Sequence, residues 1–170
     1  LFAEVARQGM PAVAMTDHGN MFGAYEFFQI AKKYDGNENP LVKPIIGIEA
    51  YVAPSSRHSR KQEFWGRRRG DGGDPDVEGG KDVSGGGRYT HMTMWASSTT
   101  GLHNLFRMGS LASLEGYYFK PRVDRELLNT YGKGLIATTG CPSGEVQTYL
   151  RLGKYDEAVA SAAEFRDIFG

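Results

Sequence analysis

Short apolar runs alternate along the chain with segments that have one apolar face and one polar face. The runs at residues 11–15, 44–52 and 134–139 are too short for helices and contain many small or β-branched residues, so they predict buried strands. Residues 88–96 alternate between two faces, one of which carries His91 among aromatic and hydroxyl side chains. This period of two predicts a strand here as well, the third of four in chain order.

Five other segments repeat apolar residues every three or four positions, as helices with a buried stripe do. They span residues 21–34, 100–114, 124–131, 143–152 and 155–169. The first eight residues add half of a further amphipathic helix, which is closed by Gly9.

The order of these elements predicts the fold class. Helices and strands alternate along most of the chain, and the long interruption lies between the second and third strands. Such alternation is typical of an α/β fold with a mostly parallel sheet, either open or closed into a barrel. We therefore expect residues 1–170 to belong to one such domain.

Residues 55–87 differ in composition from the rest of the chain. They contain nine glycines and few apolar residues, with a basic stretch at residues 57–69 followed by an acidic one at residues 71–82. Such a segment cannot bury enough apolar surface to offset the entropy lost by ordering it. We predict a flexible, solvated insertion; the alternative is that the three arginines at residues 67–69 contact phosphates.

Composition narrows the class of protein. A chain of 170 residues is about one globular domain, and its 20 basic and 20 acidic residues balance, which argues against a strong nucleic-acid clamp. No apolar run approaches the ~20 residues that span a bilayer, so we expect no membrane association. Cys141 is the one cysteine, which excludes an internal disulfide and favours a cytoplasmic setting.

Both ends of the sequence are expected to be interior points of a longer protein. The chain begins inside an amphipathic helix with no capping residue before it, and it ends at a helix terminus at Gly170. A complete domain is not expected to begin in the middle of a helix. We therefore expect a fragment that lacks both ends of its domain.

Four residues of metal-binding or acid–base type fall at or near predicted strand ends. His18 follows the first strand, Glu49 lies late in the second, His91 lies in the third, and Cys141 follows the fourth. Imidazole, carboxylate and thiolate groups all bind zinc and other transition metals. Because the active sites of α/β barrels form where strands end, these four residues are the candidate site.

Each candidate also has an ordinary structural explanation. His18 and His91 are equally consistent with packed or hydrogen-bonded histidines, and Cys141 is consistent with a small buried residue. Glu49 is the strongest candidate, because a carboxylate in an apolar strand is costly unless it is paired or bound to metal. Asp17 is either a ligand or a cap of the following helix.

Sequence motifs make the candidate site more specific. Residues 16–23 read TDHGNMFG and residues 139–146 read TGCPSGEV. Together with GIEAYV at residues 47–52, YFKPRVD at residues 118–124 and the final RDIFG, they resemble the PHP domain of C-family bacterial replicative DNA polymerases. The likeness covers nearly the whole chain outside the glycine-rich insertion. The insertion and the GGGRYTHMTMWA that follows resemble the actinobacterial branch.

The resemblance implies a distorted (βα)7 TIM-like barrel, here incomplete at both termini, with a cluster of up to three divalent metal ions. It makes His18, Glu49, His91 and Cys141 metal ligands, and it gives His18 and Glu49 catalytic roles. The implied ion is zinc, with manganese, iron or magnesium as alternatives. The implied activity is 3′–5′ exonuclease proofreading at the primer end of DNA. Other regions of such a polymerase are expected to bind replisome subunits such as the sliding clamp.

The sequence departs from the family pattern at both ends. The family's opening His-x-His segment with its following Asp, and its closing Asp-x-His segment, have no counterpart here. A fragment without these ligands is expected to be inactive on its own. Two other functions stay open: a catalytically inactive PHP domain with a structural or docking role, and a free-standing PHP phosphoesterase acting on a small phosphate ester.

Overall fold

The structure is a computed structural model that describes residues 1–63, 65 and 84–170 of the chain. Its helices and strands are, in chain order, α1 (Phe2–Arg7), β1 (Ala12–His18), α2 (Ala24–Ala31), β2 (Lys43–Val52), β3 (Thr90–Ala96), α3 (Thr99–Leu114), β4 (Arg122–Val123), α4 (Arg125–Tyr131), β5 (Leu135–Thr138), α5 (Glu145–Arg151) and α6 (Tyr155–Phe169). The predicted α/β class is confirmed. None of the described helices is both long and apolar enough to cross a membrane.

In the described parts of the chain, β2 lies inside a five-stranded sheet and pairs along both of its edges. β1 pairs with it in parallel, from Ala12 opposite Lys43 to His18 opposite Glu49. β3 pairs with the other edge of β2 in the antiparallel direction, and β5 pairs with β3, also antiparallel. β4 adds a short parallel pairing at the end of β2, beyond the end of β1.

The sheet is mixed: two of its described strand pairings are parallel and two are antiparallel, whereas the sequence predicts a mostly parallel sheet. β1, β2, β4 and β5 run in the same direction, whereas β3 runs the opposite way. The hydrogen-bonded path in the described residues is β1-β2-β3-β5, and a seven-stranded barrel is not seen there.

Most predicted boundaries agree with the observed elements to within a few residues. The largest differences are at α2, which occupies Ala24–Ala31 instead of residues 21–34, and at β1, which extends past Met15 to His18. This extension places Asp17 and His18 inside a paired strand. β4 has no counterpart in the predicted pattern, because two residues are too few to show a period.

The main apolar core lies between one face of the sheet and helices α3, α4 and α6. Met92 and Met94 of β3 are almost fully buried there, together with Leu105 and Met108 of α3. Because side chains alternate along a strand, the opposite face of β3 carries His91. The core therefore determines which face of the sheet is left for the candidate site.

Arg57, in the loop after β2, is buried among acidic side chains. Its guanidinium group donates to three carboxylates, those of Asp124, Glu115 and Glu126, at 2.8 to 3.1 Å. Asp124 also caps α4 by accepting from the backbone N–H of Leu127 at 3.1 Å. Burial opposes the charge of Arg57, but the carboxylates outweigh it and raise the pKa of the guanidinium group.

Arg122, on β4, is fully buried, and its hydrogen bonds go to four backbone carbonyls. It donates to Arg57 and Ser59, in the loop after β2, at 2.9 and 2.6 Å. It also donates to Gly116 and Arg88 at 3.0 and 3.1 Å. One side chain therefore joins the loop after β2, the residues before β3 and the loop after α3.

Composition predicts that residues 55–87 are flexible, but part of this segment is held by buried contacts. Arg57 and Trp65 lie in its described part and are buried, with exposed fractions of 7% and 6%. Trp65 packs against Leu152. The rest of the prediction, including the arginine run at residues 67–69, lies outside the described residues.

Replacing Arg122 with Met is expected to loosen the three segments that it joins. The apolar side chain leaves buried carbonyls without a donor, which costs about 3 kcal/mol. Urea unfolding should show a loss of that order, and hydrogen–deuterium exchange should rise at residues 55–63 and 116–124. Arg107→Met, at an exposed position of α3, is the matched control. Equal losses in the two variants would contradict the role given to Arg122.

Candidate metal centre

The register of β1 against β2 brings His18 next to Glu49. The two residues are directly paired across the parallel strands. Nε2 of His18 lies 3.0 Å from Oε2 of Glu49, which is within ion-pair and hydrogen-bond distance. The side chain of His18 is 71% exposed and that of Glu49 is 18% exposed, so the histidine lies at the solvent side of the site.

His91 reaches the same carboxylate from the other edge of β2. In the antiparallel pairing, His91 is opposite Tyr51, and residues two apart on a strand share a face. His91 and Glu49 therefore project from the same face of the sheet, and Nδ1 of His91 lies 2.5 Å from Oε1 of Glu49. Glu49 thus has one imidazole at each of its two oxygens.

Cys141 is brought to this cluster by a turn that follows β5. The backbone N–H of Gly144 donates to the carbonyl of Cys141 at 2.8 Å, which closes the turn. The backbone N–H of His91 donates to the carbonyl of Ser143 at 3.0 Å, which fastens the turn to the start of β3. The position of the thiol therefore depends on the same strand that carries His91.

Glu49, His91 and Cys141 have the geometry of a metal-binding set. One ligand atom of each lies within 4.8 Å of the others, and all three residues are partly buried. Carboxylate, imidazole and thiol are the ligand types that zinc accepts, and this spacing is compatible with one ion about 2.0–2.3 Å from each. His18 adds a further imidazole on the other oxygen of Glu49.

Asp17 caps the following helix and binds none of these residues in the described structure. Its Oδ2 accepts from the backbone N–H of Gly23 at 3.0 Å, where α2 begins. The side chain of Asn20 donates to the carbonyl of His18 at 2.9 Å and accepts from the N–H of Phe22 at 3.0 Å. The loop after β1 is therefore closed by its own polar side chains, which restrict the position of His18.

Gly19 allows the backbone to turn where β1 ends. Its φ is +70°, which other residues adopt only with strain, and its N–H donates to the carbonyl of Glu49 at 2.9 Å. A Cβ at this position would lie 2.7 Å from the ring of Tyr51 and 3.0 Å from Pro121. Both the backbone conformation and the packing therefore require glycine here.

Two tyrosines form an aromatic wall beside His91. The rings of Tyr51 and His91 meet edge to face with centroids 5.2 Å apart, and Tyr89 contacts both of them at 4.8 and 5.8 Å. Burial, followed by the charges of Glu49 and Tyr89, raises the pKa of Tyr51, so its phenol is neutral at pH 7. The wall limits the orientations that the His91 ring can adopt.

The structure brings together all four candidate ligands, namely His18, Glu49, His91 and Cys141. Sequence patterns identify these four ligands more clearly than the residues that support them, such as Tyr51, Tyr89 and Arg122. Tyr51 is two residues from Glu49 on β2, and Tyr89 is two residues from His91, just before β3; this period of two is the signal that points to them. Arg122 lies in the YFKPRVD motif, but nothing local shows that it is buried.

The whole chain, residues 1–170, matches the protein family described as the PHP domain. This finding confirms the resemblance carried by the sequence motifs. PHP domains bind metal ions, and the set formed by Glu49, His91 and Cys141 is compatible with that property.

The chain is also similar to curated bacterial proteins named DNA polymerase III subunit alpha. It is 61% identical to the protein of Saccharopolyspora erythraea over 170 residues and 54% identical to that of Mycobacterium leprae over 171 residues. It is 44% identical to that of Thermus aquaticus over 160 residues. These alignments cover 100%, 100% and 94% of the chain, but the chain spans only 14%, 13% and 11% of the relatives' lengths.

Gly19→Ala is expected to destabilise the fold and to displace the loop that carries His18. The new Cβ strains the backbone and meets the ring of Tyr51, at a cost of about 2 kcal/mol or more. Gly9→Ala is the matched control: its φ is +69°, but a Cβ there would contact nothing within 4 Å, so about 1 kcal/mol of strain remains. Urea unfolding measures the difference. Equal losses would contradict the packing requirement at Gly19.

Proposed function

This chain belongs to the PHP domain family, and we propose that it is part of a bacterial replicative DNA polymerase, the DNA polymerase III alpha subunit. In that larger protein, the domain hydrolyses the terminal phosphodiester bond at the 3′ end of a DNA primer and so removes misincorporated nucleotides. The names of the relatives that share these segments support the polymerase part of the proposal.

The arrangement around Glu49 is the observation that carries the hydrolytic part of the proposal. A partly buried carboxylate is costly unless it is paired, and here both of its oxygens are directed at imidazoles, those of His18 and His91. The thiol of Cys141 lies within reach of the same carboxylate. Four groups that bind transition metals therefore meet from four separate segments of the chain.

The donor set fits a divalent transition-metal ion. Thiolate and imidazole ligands favour zinc, whereas magnesium and calcium are bound mainly by oxygen. We therefore propose zinc as the principal ion, with manganese or iron as alternatives. Magnesium is a poorer fit because Cys141 supplies sulfur.

Some residues of the site would hold the metal ions, and others lie where a DNA end would enter. Bound divalent ions would supply Lewis-acid polarisation of the phosphodiester and a water activated for attack. Glu49, His91 and Cys141 form the partly buried side and hold the ligand geometry. His18 is exposed and its Nε2 lies 3.0 Å from Oε2 of Glu49, so it would add a ligand at the solvent side of the site, where a DNA end would enter. The aromatic wall of Tyr51 and Tyr89 excludes water from one side of the site.

We further propose that other segments of the parent protein complete the domain as a distorted (βα)7 barrel. In the described residues, β1 and β5 stand at the ends of the strand path, and each leaves an edge for a further strand. The parent protein is proposed to act in the cytoplasm. Its partners there are DNA and other replisome subunits such as the sliding clamp, bound by regions outside this chain.

Glu49→Gln in the full-length polymerase is expected to abolish 3′–5′ exonuclease activity and to leave DNA synthesis intact. The amide keeps the size of the side chain but removes the charge that the metal ions and both imidazoles require, so the rate should fall about 100-fold or more. Shortening of a 3′-mismatched primer is the measurement, and the metal content of the purified protein is a second readout.

His103→Ala is the matched control, because His103 is exposed on α3, a helix that packs on the core face of the sheet and not on the face that carries Glu49 and His91. This variant should keep both activities. Exonuclease activity that persists in Glu49→Gln and in His18→Ala would contradict the catalytic assignment.

A structural role for the metal centre is the second candidate function. The 2.5 Å contact between His91 and Glu49 favours it, because this contact links β2 to β3 across the sheet. In that case a chelator would lower the melting temperature of a wild-type polymerase that has no exonuclease activity to lose. Faster turnover of a small phosphomonoester than of DNA ends would instead favour a phosphatase.

A further inference from the structure

Residues 117–121, between α3 and β4, form a loop that we call the rim loop. It contains Phe119, whose backbone is strained and whose ring is exposed to solvent. Phe119 has a φ of +62°, and it is the one non-glycine residue with a positive φ in the described parts of the chain. The N–H of Tyr118 donates to the carbonyl of Lys120 at 3.0 Å, which fixes the turn. Phe119 is 60% exposed, so burial of its ring does not compensate for the strain.

One face of the Phe119 ring is covered by a cation. The guanidinium carbon of Arg88 lies 4.3 Å from the ring centroid, and the ring of Tyr118 meets it edge to face at 4.9 Å. Arg88 is held in turn by the carbonyl of Gly85 at 3.3 Å and, through its own carbonyl, by Arg122 at 3.1 Å. Arg88 therefore covers one face of the Phe119 ring, and much of the rest of the ring is exposed to solvent.

The rim loop adjoins the candidate metal centre. Nζ of Lys120 lies 5.6 Å from the ring centroid of Tyr51, and the edge of that ring contacts His91. Pro121 lies against Gly19, the residue that directly follows β1. An exposed aromatic ring and an ammonium group thus border the candidate ligands on the side of the aromatic wall.

Lys120 and Arg88, the cations beside the rings of Tyr51 and Phe119, have no carboxylate partner among residues 1–63, 65 and 84–170. Arg57 and Arg125, by contrast, each bind two or more carboxylates. The contacts of Lys120 and Arg88 are with aromatic rings and neutral polar groups. Uncompensated positive charge beside a site for phosphodiester hydrolysis favours an anionic ligand.

We propose that the rim loop binds the unpaired terminal base of a single-stranded DNA 3′ end, with the base stacked on Phe119 and the adjoining phosphates against Lys120 and Arg88. This inference rests on the proposed function, and it adds that the site prefers unpaired 3′ ends as its substrate. Every base has a face that can stack on an aromatic ring, but a base can do so here only after it leaves the duplex. The rim loop therefore selects frayed or mispaired ends over paired ones.

The chemistry of the rim loop favours nucleic acid over a protein segment. A large contiguous apolar patch would favour a protein partner. Here the exposed ring of Phe119 is flanked by the charged groups of Lys120 and Arg88. Alternating aromatic and cationic groups are typical of sites for single-stranded nucleic acid.

The test uses the full-length polymerase and a single-stranded oligodeoxynucleotide whose 3′-terminal base is 5-iodouracil, which on irradiation cross-links to an aromatic side chain stacked on it. A chelator is present, so that binding is measured without hydrolysis. Mass spectrometry of the peptides is expected to locate the adduct on Phe119. Phe119→Leu should remove the adduct. Phe28→Leu should leave it unchanged, since Phe28 is a half-exposed ring that Lys32 approaches on α2.

An adduct found only on peptides outside the rim loop overturns the proposal, as does an equal yield in Phe119→Leu or the absence of any adduct. This result is separable from the fate of the proposed function. If Glu49→Gln keeps its exonuclease activity, the catalytic assignment fails, but the cross-linking still reports on the rim loop.

Phe119→Gly separates binding from folding. Glycine relieves the strain at a φ of +62°, so the melting temperature should equal or exceed that of the wild type. The KM for hydrolysis of a single-stranded 3′ end should rise about tenfold with little change in kcat, as expected for one lost base stack. A lower melting temperature with an unchanged KM would identify Phe119 as a packing residue and would overturn the proposal.

Charge variants test the phosphate contact in the same assay. Lys120→Met should raise the KM, and Lys120→Arg should restore it, because arginine keeps the charge. Lys133→Met is the matched control. Lys133 is exposed and lies just before β5, whereas Cys141 lies just after the other end of that strand. Equal KM values for Lys120→Met and Lys133→Met would contradict the role of Lys120.

Discussion

Pairing of β2 along both of its edges is the constraint on which the candidate site depends. β1 places His18 opposite Glu49, and β3 places His91 on the same face, opposite Tyr51 and two residue pairs further along. The strands can approach this closely because Gly47 has no side chain: a Cβ there would lie 2.3 Å from the carbonyl oxygen of Met94. A slip of one residue would turn Glu49 to the core face and separate it from both imidazoles.

Two buried arginines extend this constraint to the surroundings of the site. A buried guanidinium group is tolerated only where its donors are satisfied, which Arg57 achieves with carboxylates and Arg122 with backbone carbonyls. Arg122 lies on β4, which pairs with the end of β2, and it also binds the carbonyl of Arg88. The same network therefore fixes the end of β2 and supports the ring of Phe119 beside the candidate ligands.

Local patterns predict the elements of this fold, but not how the elements are joined. Alternation over residues 88–96 identifies β3 and its buried face, whereas its antiparallel direction arises from pairing with a distant strand. A carboxylate in an apolar strand identifies Glu49, whereas the identity of its neighbours depends on register. Composition predicts that the segment around Arg57 is flexible. Local sequence cannot predict that Arg57 is buried and paired, because its partner Asp124 is 67 residues away in sequence.

Whether Glu49, His91 and Cys141 share a metal ion is tested most directly by anomalous X-ray diffraction from crystals of the intact polymerase grown with zinc. An anomalous peak is predicted about 2.0–2.3 Å from one atom of each residue, with the direct contact between His91 and Glu49 replaced by bonds to the ion. The absence of a peak, with Nδ1 of His91 still 2.5 Å from Oε1 of Glu49, would contradict the assignment of a metal centre.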